Sequence, residues 1–168
     1  RHSCGVVLQD SHVFSESLAR NIAVEDKHID RTRLRIAARQ SNLEEFIEKL
    51  PLKYQTMVGA EGVGLSRGQE QRIFIARALY KDPSFVFLDE ATNSLDANNE
   101  RIITGNLLDF CKGRTVLIVA HRLSTIRHAD KIVVLHKGRI VEEGTHDELC
   151  ARHGYYYELI NNQLIAMG

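Results

Sequence analysis

The chain is poor in cysteine, carries no net charge and has no apolar run approaching a membrane span, and each shortage excludes something. Cys4, Cys111 and Cys150 are few, odd in number and widely spaced. No metal-type spacing occurs among them, so the expectation is reduced thiols in a cytosolic compartment rather than a disulfide framework. Lysine plus arginine equals aspartate plus glutamate, at 22 each. That balance gives no general electrostatic reason to bind nucleic acid or an anionic membrane, and no nucleic-acid partner is expected. The one local basic cluster, Arg31, Arg33, Arg35 and Arg39, reads as a solvated helix face. The longest apolar runs fall far short of the roughly 20 residues of a membrane helix, and no signal-peptide pattern is present. There is no initiating methionine. Arg1-His2-Ser3 leads straight into the strand-like Cys4-Gly5-Val6-Val7-Leu8, which reads as the trailing portion of a longer polypeptide. What remains is ordinary: 168 residues, 43% of them apolar, suit one domain, or most of one, with a real core.

Three segments share one grammar. Gly5 to Leu8 is an apolar run ending at Gln9, Phe85 to Leu88 ends at Asp89-Glu90, and Thr115 to Ala120 ends at His121. Continuous apolar runs suit strands covered on both faces, as in a parallel sheet. Helical patterns lie between them, which is α/β alternation. Ligands of such sheets bind beyond the carboxyl ends of the strands, where Gln9, Asp89, Glu90 and His121 all fall. The stretch from Val13 to Gly64 differs: Leu34, Ala37 and Ala38, then Leu43, Phe46, Ile47 and Leu50, follow helical spacing. It reads as a helical insertion, broken at Pro51 and ending in a loop with Gly59, Gly62 and Gly64. A helix from Gln69 to Tyr80 and another from Ala97 to Phe110 are expected. A hairpin turning at His136-Lys137-Gly138 with positive φ at Gly138, a capping box at Thr145-His146-Asp147-Glu148 and a helical tail from Tyr155 to Met167 complete the pattern.

The chemistry sits in two pieces. Ser66-x-x-Gln69 is a capping box, and as such is simply a well-made helix start. It also presents the N–H groups of Arg67, Gly68 and Gln69 at the positive end of a helix, with Gly68 letting a phosphate come close. Asp89-Glu90 at a strand end serves equally as a helix cap. Yet two adjacent carboxylates repel unless a cation neutralises one, and magnesium bound to phosphate does this well. Asp89 then holds the metal and Glu90 orients or deprotonates a water, which is most of what phosphoryl transfer needs. His121 reads either as a satisfied histidine at a sheet edge or as a contact to a terminal phosphate. Ser94-Leu95-Asp96 is a turn and cap for the Ala97 helix. Together these pieces point to nucleotide hydrolysis, although no Gly-x-x-x-x-Gly-Lys-Ser/Thr phosphate loop occurs in the chain.

In their order and over essentially the whole chain, these residues closely resemble the ATP-binding-cassette (ABC) transporter ATPases. Leu65-Ser66-Arg67-Gly68-Gln69-Glu70-Gln71-Arg72 is similar to that family's signature motif. Phe85 to Glu90 resembles its Walker B strand with the catalytic glutamate, Ser94-Leu95-Asp96 its D-loop, His121 its switch histidine and Gln9 its Q-loop. Thr56-Met57-Val58-Gly59-Ala60-Glu61-Gly62 resembles the loop that, in the family's exporters, touches the membrane domain; a glycine-rich connector fits the same residues. The resemblance implies an α/β, parallel-sheet P-loop NTPase (RecA-like) core, incomplete at its N-terminus. Residues 1–12 supply a strand and the Q-loop, 13–82 an inserted helical subdomain with the signature helix, and 83–168 the remainder.

It implies ATP and Mg2+ as ligands, with Glu90 and His121 catalytic. Asp89 and Gln9 are placed at the metal. Ser66, Arg67, Gly68, Gln69, Gln9 and Asp96 are placed at the nucleotide, partly across a head-to-tail dimer with a second cassette. A membrane-spanning domain upstream in the same chain and a place on the cytoplasmic face of the cell (inner) membrane follow, with peptide or toxin export as the guess at cargo. A soluble relative acting in DNA repair or on the ribosome, and a non-hydrolysing regulatory cassette, are the other readings. Arg67 departs from the usual glycine but keeps its backbone N–H. The larger departure is the missing Walker A loop. Without its lysine and cradle this chain alone is expected to bind ATP weakly, hydrolyse it negligibly and, with one side of its sheet bared, self-associate.

Overall fold

A computed structural model describes residues 4–8, 11–24, 26–60, 62–89, 97–119 and 126–166. The chain divides into two compact units, Arg1–Val119 and Ala120–Gly168.

The first unit is organised by three parallel strands. Strand β1 (Cys4–Val7) pairs with β4 (Phe85–Asp89), which pairs in turn with β5 (Thr115–Val119), in the order β1-β4-β5. The register sets Val7 against Leu88, and Leu88 and Asp89 against Ile118 and Val119, so the three carboxyl ends lie level. Between β4 and β5 runs helix α5 (Ala97–Cys111), the crossover that parallel neighbours require.

Between β1 and β4 lies the helical stretch expected from the spacing: α1 (Leu18–Ile22), α2 (Arg31–Gln40), α3 (Glu44–Glu48), a 3-10 turn at Lys53–Gln55 and α4 (Arg67–Lys81). Asp30 starts α2 by accepting the N–H groups of Thr32 and Arg33 at 2.8 and 3.1 Å, and Leu34, Ala37 and Ala38 form its buried stripe. Helix α4 ends where Asp82 turns left-handed (φ 50°) before Pro83. The sequence pattern missed a two-residue antiparallel ribbon, β2 (Glu16–Ser17) with β3 (Met57–Val58). The loop beyond β3 folds so tightly that a Cβ at Gly62 would collide with the backbone of Met57.

One core gathers Leu18, Ile22, Leu43, Ile47, Ile73, Ile75 and Ile103 with the inward strand residues Val7, Val86 and Leu88. Among the described residues of this unit, the expectation that the strands are covered on both faces does not hold. Burial alternates along them, and Val6, Phe85, Phe87, Leu117 and Val119 on the opposite face stand 40–56% exposed. An apolar run records that both faces are apolar, not that both are covered. Here the helices cover one.

The second unit contains a hairpin of β6 (Ile132–His136) and β7 (Arg139–Gly144). Both turn residues have positive φ, Lys137 at 49° and Gly138 at 75°, the twist that suits a two-residue turn. Thr145 opens α6 (His146–Ala151) with the expected capping box, its Oγ1 accepting from Glu148 N at 3.3 Å while Glu148 accepts Thr145 N at 2.9 Å. Helix α7 (Tyr155–Ala166) follows, and Ile132, Val134, Leu149, Tyr156 and Ile160 make the small core. Among the described residues no helix is long and apolar enough to cross a membrane.

Candidate functional site

The capping box at the head of α4 is formed. Ser66 is extended (φ −71°, ψ 155°), its Oγ accepts Gln69 N at 3.3 Å and its own N–H donates to Gln69 Oε1 at 2.9 Å. Ser66 and Arg67 are exposed, and Gly68 and Gln69 are half-buried. Leu65 packs against the core just before the turn. The end of a four-turn helix, with its partial positive charge, therefore faces solvent. One expectation is corrected: the N–H of Gln69 is not free, because Ser66 Oγ takes it. Those of Arg67 and Gly68 have no protein acceptor among the described residues, and they are what this turn offers an anion.

Asp89 is the last residue of the central strand and is half-buried. It stands at the rim formed by the level carboxyl ends of β1, β4 and β5, the place where a parallel sheet binds ligands. Gln9 follows Val7 of β1 by two residues, Glu90 follows Asp89, and His121 follows Val119 of β5 by two. These three and Asp96 lie outside the described residues. Among the described residues no group of three His, Cys, Asp or Glu could hold a metal. A single strand-end carboxylate still fits magnesium in a phosphate complex. That ion prefers hard oxygen donors and keeps most of its shell as water and phosphate oxygens, so one or two protein carboxylates suffice.

Residues that the motif reading passed over hold the neighbourhood together. Asn21, fully buried in α1, accepts Phe14 N at 2.8 Å and donates to the carbonyls of Phe14, Ser17 and Glu16 at 3.0, 3.2 and 3.3 Å. It ties down the strap at 14–17 that follows Gln9 in sequence. Arg77 of α4 donates Nε to Asn21 O at 2.9 Å and lies over the rings of Phe14 and Phe74, 5.1 and 5.4 Å from their centroids. Burial lowers its pKa from the usual arginine value. Leu18 N donates to Thr56 O at 3.0 Å. With the β2/β3 pairing, this fastens the Thr56–Gly62 loop to the same strap. One sequence signal could have found Asn21: an amide inside the apolar stretch Leu18-Ala19-Arg20-Asn21-Ile22.

A parallel α/β sheet with a carboxylate at its ligand rim, in one unit with a helix whose exposed start suits an anion, is the arrangement of an α/β protein that binds a phosphate-bearing ligand. Family comparison takes this one step further. Residues 1–93 match the model of the ABC transporter family, and the chain belongs to that family.

The Toxin RTX-I translocation ATP-binding protein of Actinobacillus pleuropneumoniae is 48% identical over 160 residues, covering 95% of this chain and 23% of the relative. The ATP-dependent lipid A-core flippase of Saccharophagus degradans is 47% identical over 163 residues, 97% of this chain and 28% of the relative. A bacterial Atm1-family ABC exporter solved with ATP bound superposes with a TM-score of 0.91 at 39% identity, covering 98% of this chain and 29% of that one. The chain thus spans about a quarter of the length of the curated relatives it matches. Their names fit the exporter expectation, and not the DNA-repair or ribosome alternative.

Proposed function

We propose that this chain is the ATP-hydrolysing, energy-coupling part of a membrane exporter. The observation that carries the reading is the exposed head of α4, with the N–H groups of Arg67 and Gly68 unclaimed among the described residues, in the same unit as a strand-end carboxylate at Asp89. The anion-binding turn points outward, as it must if it serves a nucleotide held by a second cassette.

In this reading the Ser66 hydroxyl and the N–H groups of Arg67 and Gly68 contact the terminal phosphate of that nucleotide from the far side, while Gln69 braces the cap. Asp89, with Gln9, holds the magnesium ion, which neutralises phosphate charge. Glu90 orients or deprotonates the attacking water, and His121 contacts the terminal phosphate. Asp96 works across the dimer interface. Segments 1–12, 13–82 and 83–168 act as strand with Q-loop, helical subdomain and remaining core. The strap at 14–17 and the Thr56–Gly62 loop lie where a membrane-spanning domain would dock, on the cytoplasmic face of the cell membrane. For cargo we propose a peptide or protein toxin, in line with the toxin-translocation relative.

The deciding experiment is Glu90→Gln in the full-length protein in membrane vesicles. Loss of a general base is expected to lower ATP turnover at least about a hundredfold while ATP remains bound. Unchanged turnover would refute the role of Glu90. Retained ATP with no turnover in the parent protein would favour a regulatory cassette instead.

A further inference from the structure

Among the described contacts, the guanidinium of Arg72, on the second turn of α4, reaches acceptors on three residues. Nε donates to Gly68 O at 3.2 Å, and Nη1 donates to Asn42 O and to Asn99 Oδ1, both at 3.1 Å. Asn42 sits in the corner between α2 and α3 with φ 56°, a left-handed conformation that asparagine tolerates. Its Nδ2 donates to the same Asn99 Oδ1 at 2.8 Å. Two donors thus converge on one oxygen, which fixes how the Asn99 amide is turned. Asn99 lies in the first turn of α5, three residues after Asp96.

The peptide joining Gly68 to Gln69 is held from both sides. Its carbonyl accepts Arg72 Nε, and its N–H donates to Ser66 Oγ. Arg72 therefore grips the peptide on which the signature turn closes, and Arg72 is itself aimed by Asn42 and Asn99. A long arginine side chain released from such partners regains rotamer freedom and moves toward water.

We propose that Asn99 is a positioning residue for the signature turn. Acting through Arg72, it sets the orientation of the Gly68–Gln69 peptide and couples the head of α4 to the helix that begins after Asp96. This deepens the functional reading above and rests on it for the identity of the phosphate ligand. One consequence follows from the connectivity. A push on the signature turn by a partner's nucleotide is passed to the first turn of α5 in the same chain through two hydrogen bonds, without any change in the apolar core.

The test compares Asn99→Leu with Asn99→Asp in the full-length protein. Leucine removes the oxygen that Arg72 and Asn42 share, whereas aspartate keeps an acceptor there. Asn99→Leu is expected to raise the KM for ATP about fivefold and to speed amide hydrogen exchange of Gln69 and Glu70, whose N–H groups Ser66 holds, about tenfold, with kcat within about twofold of the parent. Asn99→Asp is expected to restore both KM and exchange. A purely structural role would lower the active fraction, and so the apparent kcat, with KM unchanged. Parental KM and parental exchange in Asn99→Leu, or equal damage from Asn99→Asp, would overturn the proposal. If Asn99→Leu does not fold, Asn99→Ser, whose short hydroxyl cannot reach both donors, is judged by the same criteria. Absence of turnover in the parent protein would refute the functional reading. Exchange at Gln69 and Glu70 would then decide the positioning role by itself.

Discussion

Asn21 offers the sharpest quantitative test. Replacing it with leucine keeps the heavy-atom count and branching of the side chain, so no cavity opens, and the lost hydrogen bonds outweigh the crowding from the larger methyl groups. Four bonds of 2.8–3.3 Å are lost. Among the acceptor carbonyls Phe14 O still receives Glu16 N at 2.8 Å, and Glu16 and Ser17 remain paired with Val58 and Met57 in the ribbon. Phe14 N–H, part-buried, loses its only partner among the described residues. An orphaned donor costs about 1–3 kcal/mol, and each net hydrogen bond about 1 kcal/mol. Allowing for the carbonyls that remain satisfied, the sum is about 3 kcal/mol. For a unit of this size that lowers the melting temperature by about 10 °C. Circular-dichroism melts of Asn21→Leu beside the parent would measure it, and limited proteolysis should find a new cleavage site within 12–17. A shift below about 2 °C would mean that the strap is held by something other than this amide, and the coupling role assigned to it would lose its support.

Two further outcomes follow from the same geometry. Ser66→Ala removes the N-cap of α4 and should cost about 1 kcal/mol of helix stability, read as a fall of a few degrees in thermal melts; in the full-length protein ATP turnover should fall as well, and a variant with normal turnover would remove Ser66 from the phosphate site. The exposed sheet face of Phe85, Phe87 and Leu117 should make the chain self-associate. Light scattering should report a non-monomer that Leu117→Lys shifts toward monomer, and a parent chain that is monomeric at high concentration would count against it.

What the sequence disclosed was the local part of the structure. The capping boxes at Ser66 and Thr145 were legible because cap and partner lie three residues apart and need nothing from elsewhere. The helices were legible from Leu34, Ala37 and Ala38 and from Ile73, Ala76 and Leu79, since a repeated spacing declares which face turns inward. Strands β1, β4 and β5 were legible as runs, but what covers them was not, because coverage depends on other segments. The ribbon of Glu16–Ser17 with Met57–Val58 is too short to show any period. Arg72 and Asn99 are separated by 27 residues, and no spacing rule connects them. They meet because the first turn of α5 comes to the corner after α2, where Asn42 and Arg72 both reach Asn99. Gln9, Glu90, Asp96 and His121 keep the roles that order and neighbouring strands suggest, as part of the proposal.

The construction of α4 explains why its exposed end can bind and yield without endangering the fold. From Ile73 to Tyr80 the helix is held by apolar burial, with Ile73, Ile75 and Ala76 fully enclosed. That burial amounts to several kcal/mol and is indifferent to what happens at the N-terminus. From Ser66 to Arg72 no side chain is buried. This part is held by the cap and by Arg72, each bond contributing about 1 kcal/mol. The two halves therefore differ in stiffness, and Arg72 is the residue where one gives way to the other. A phosphate arriving at Arg67 and Gly68 acts on the half held by hydrogen bonds, where a local rearrangement is inexpensive, while the buried half stays anchored against β1. An anion site placed in the middle of the buried half could not respond without breaking core contacts, which is the physical reason the proposed site suits the solvent end of a helix whose other turns are fixed.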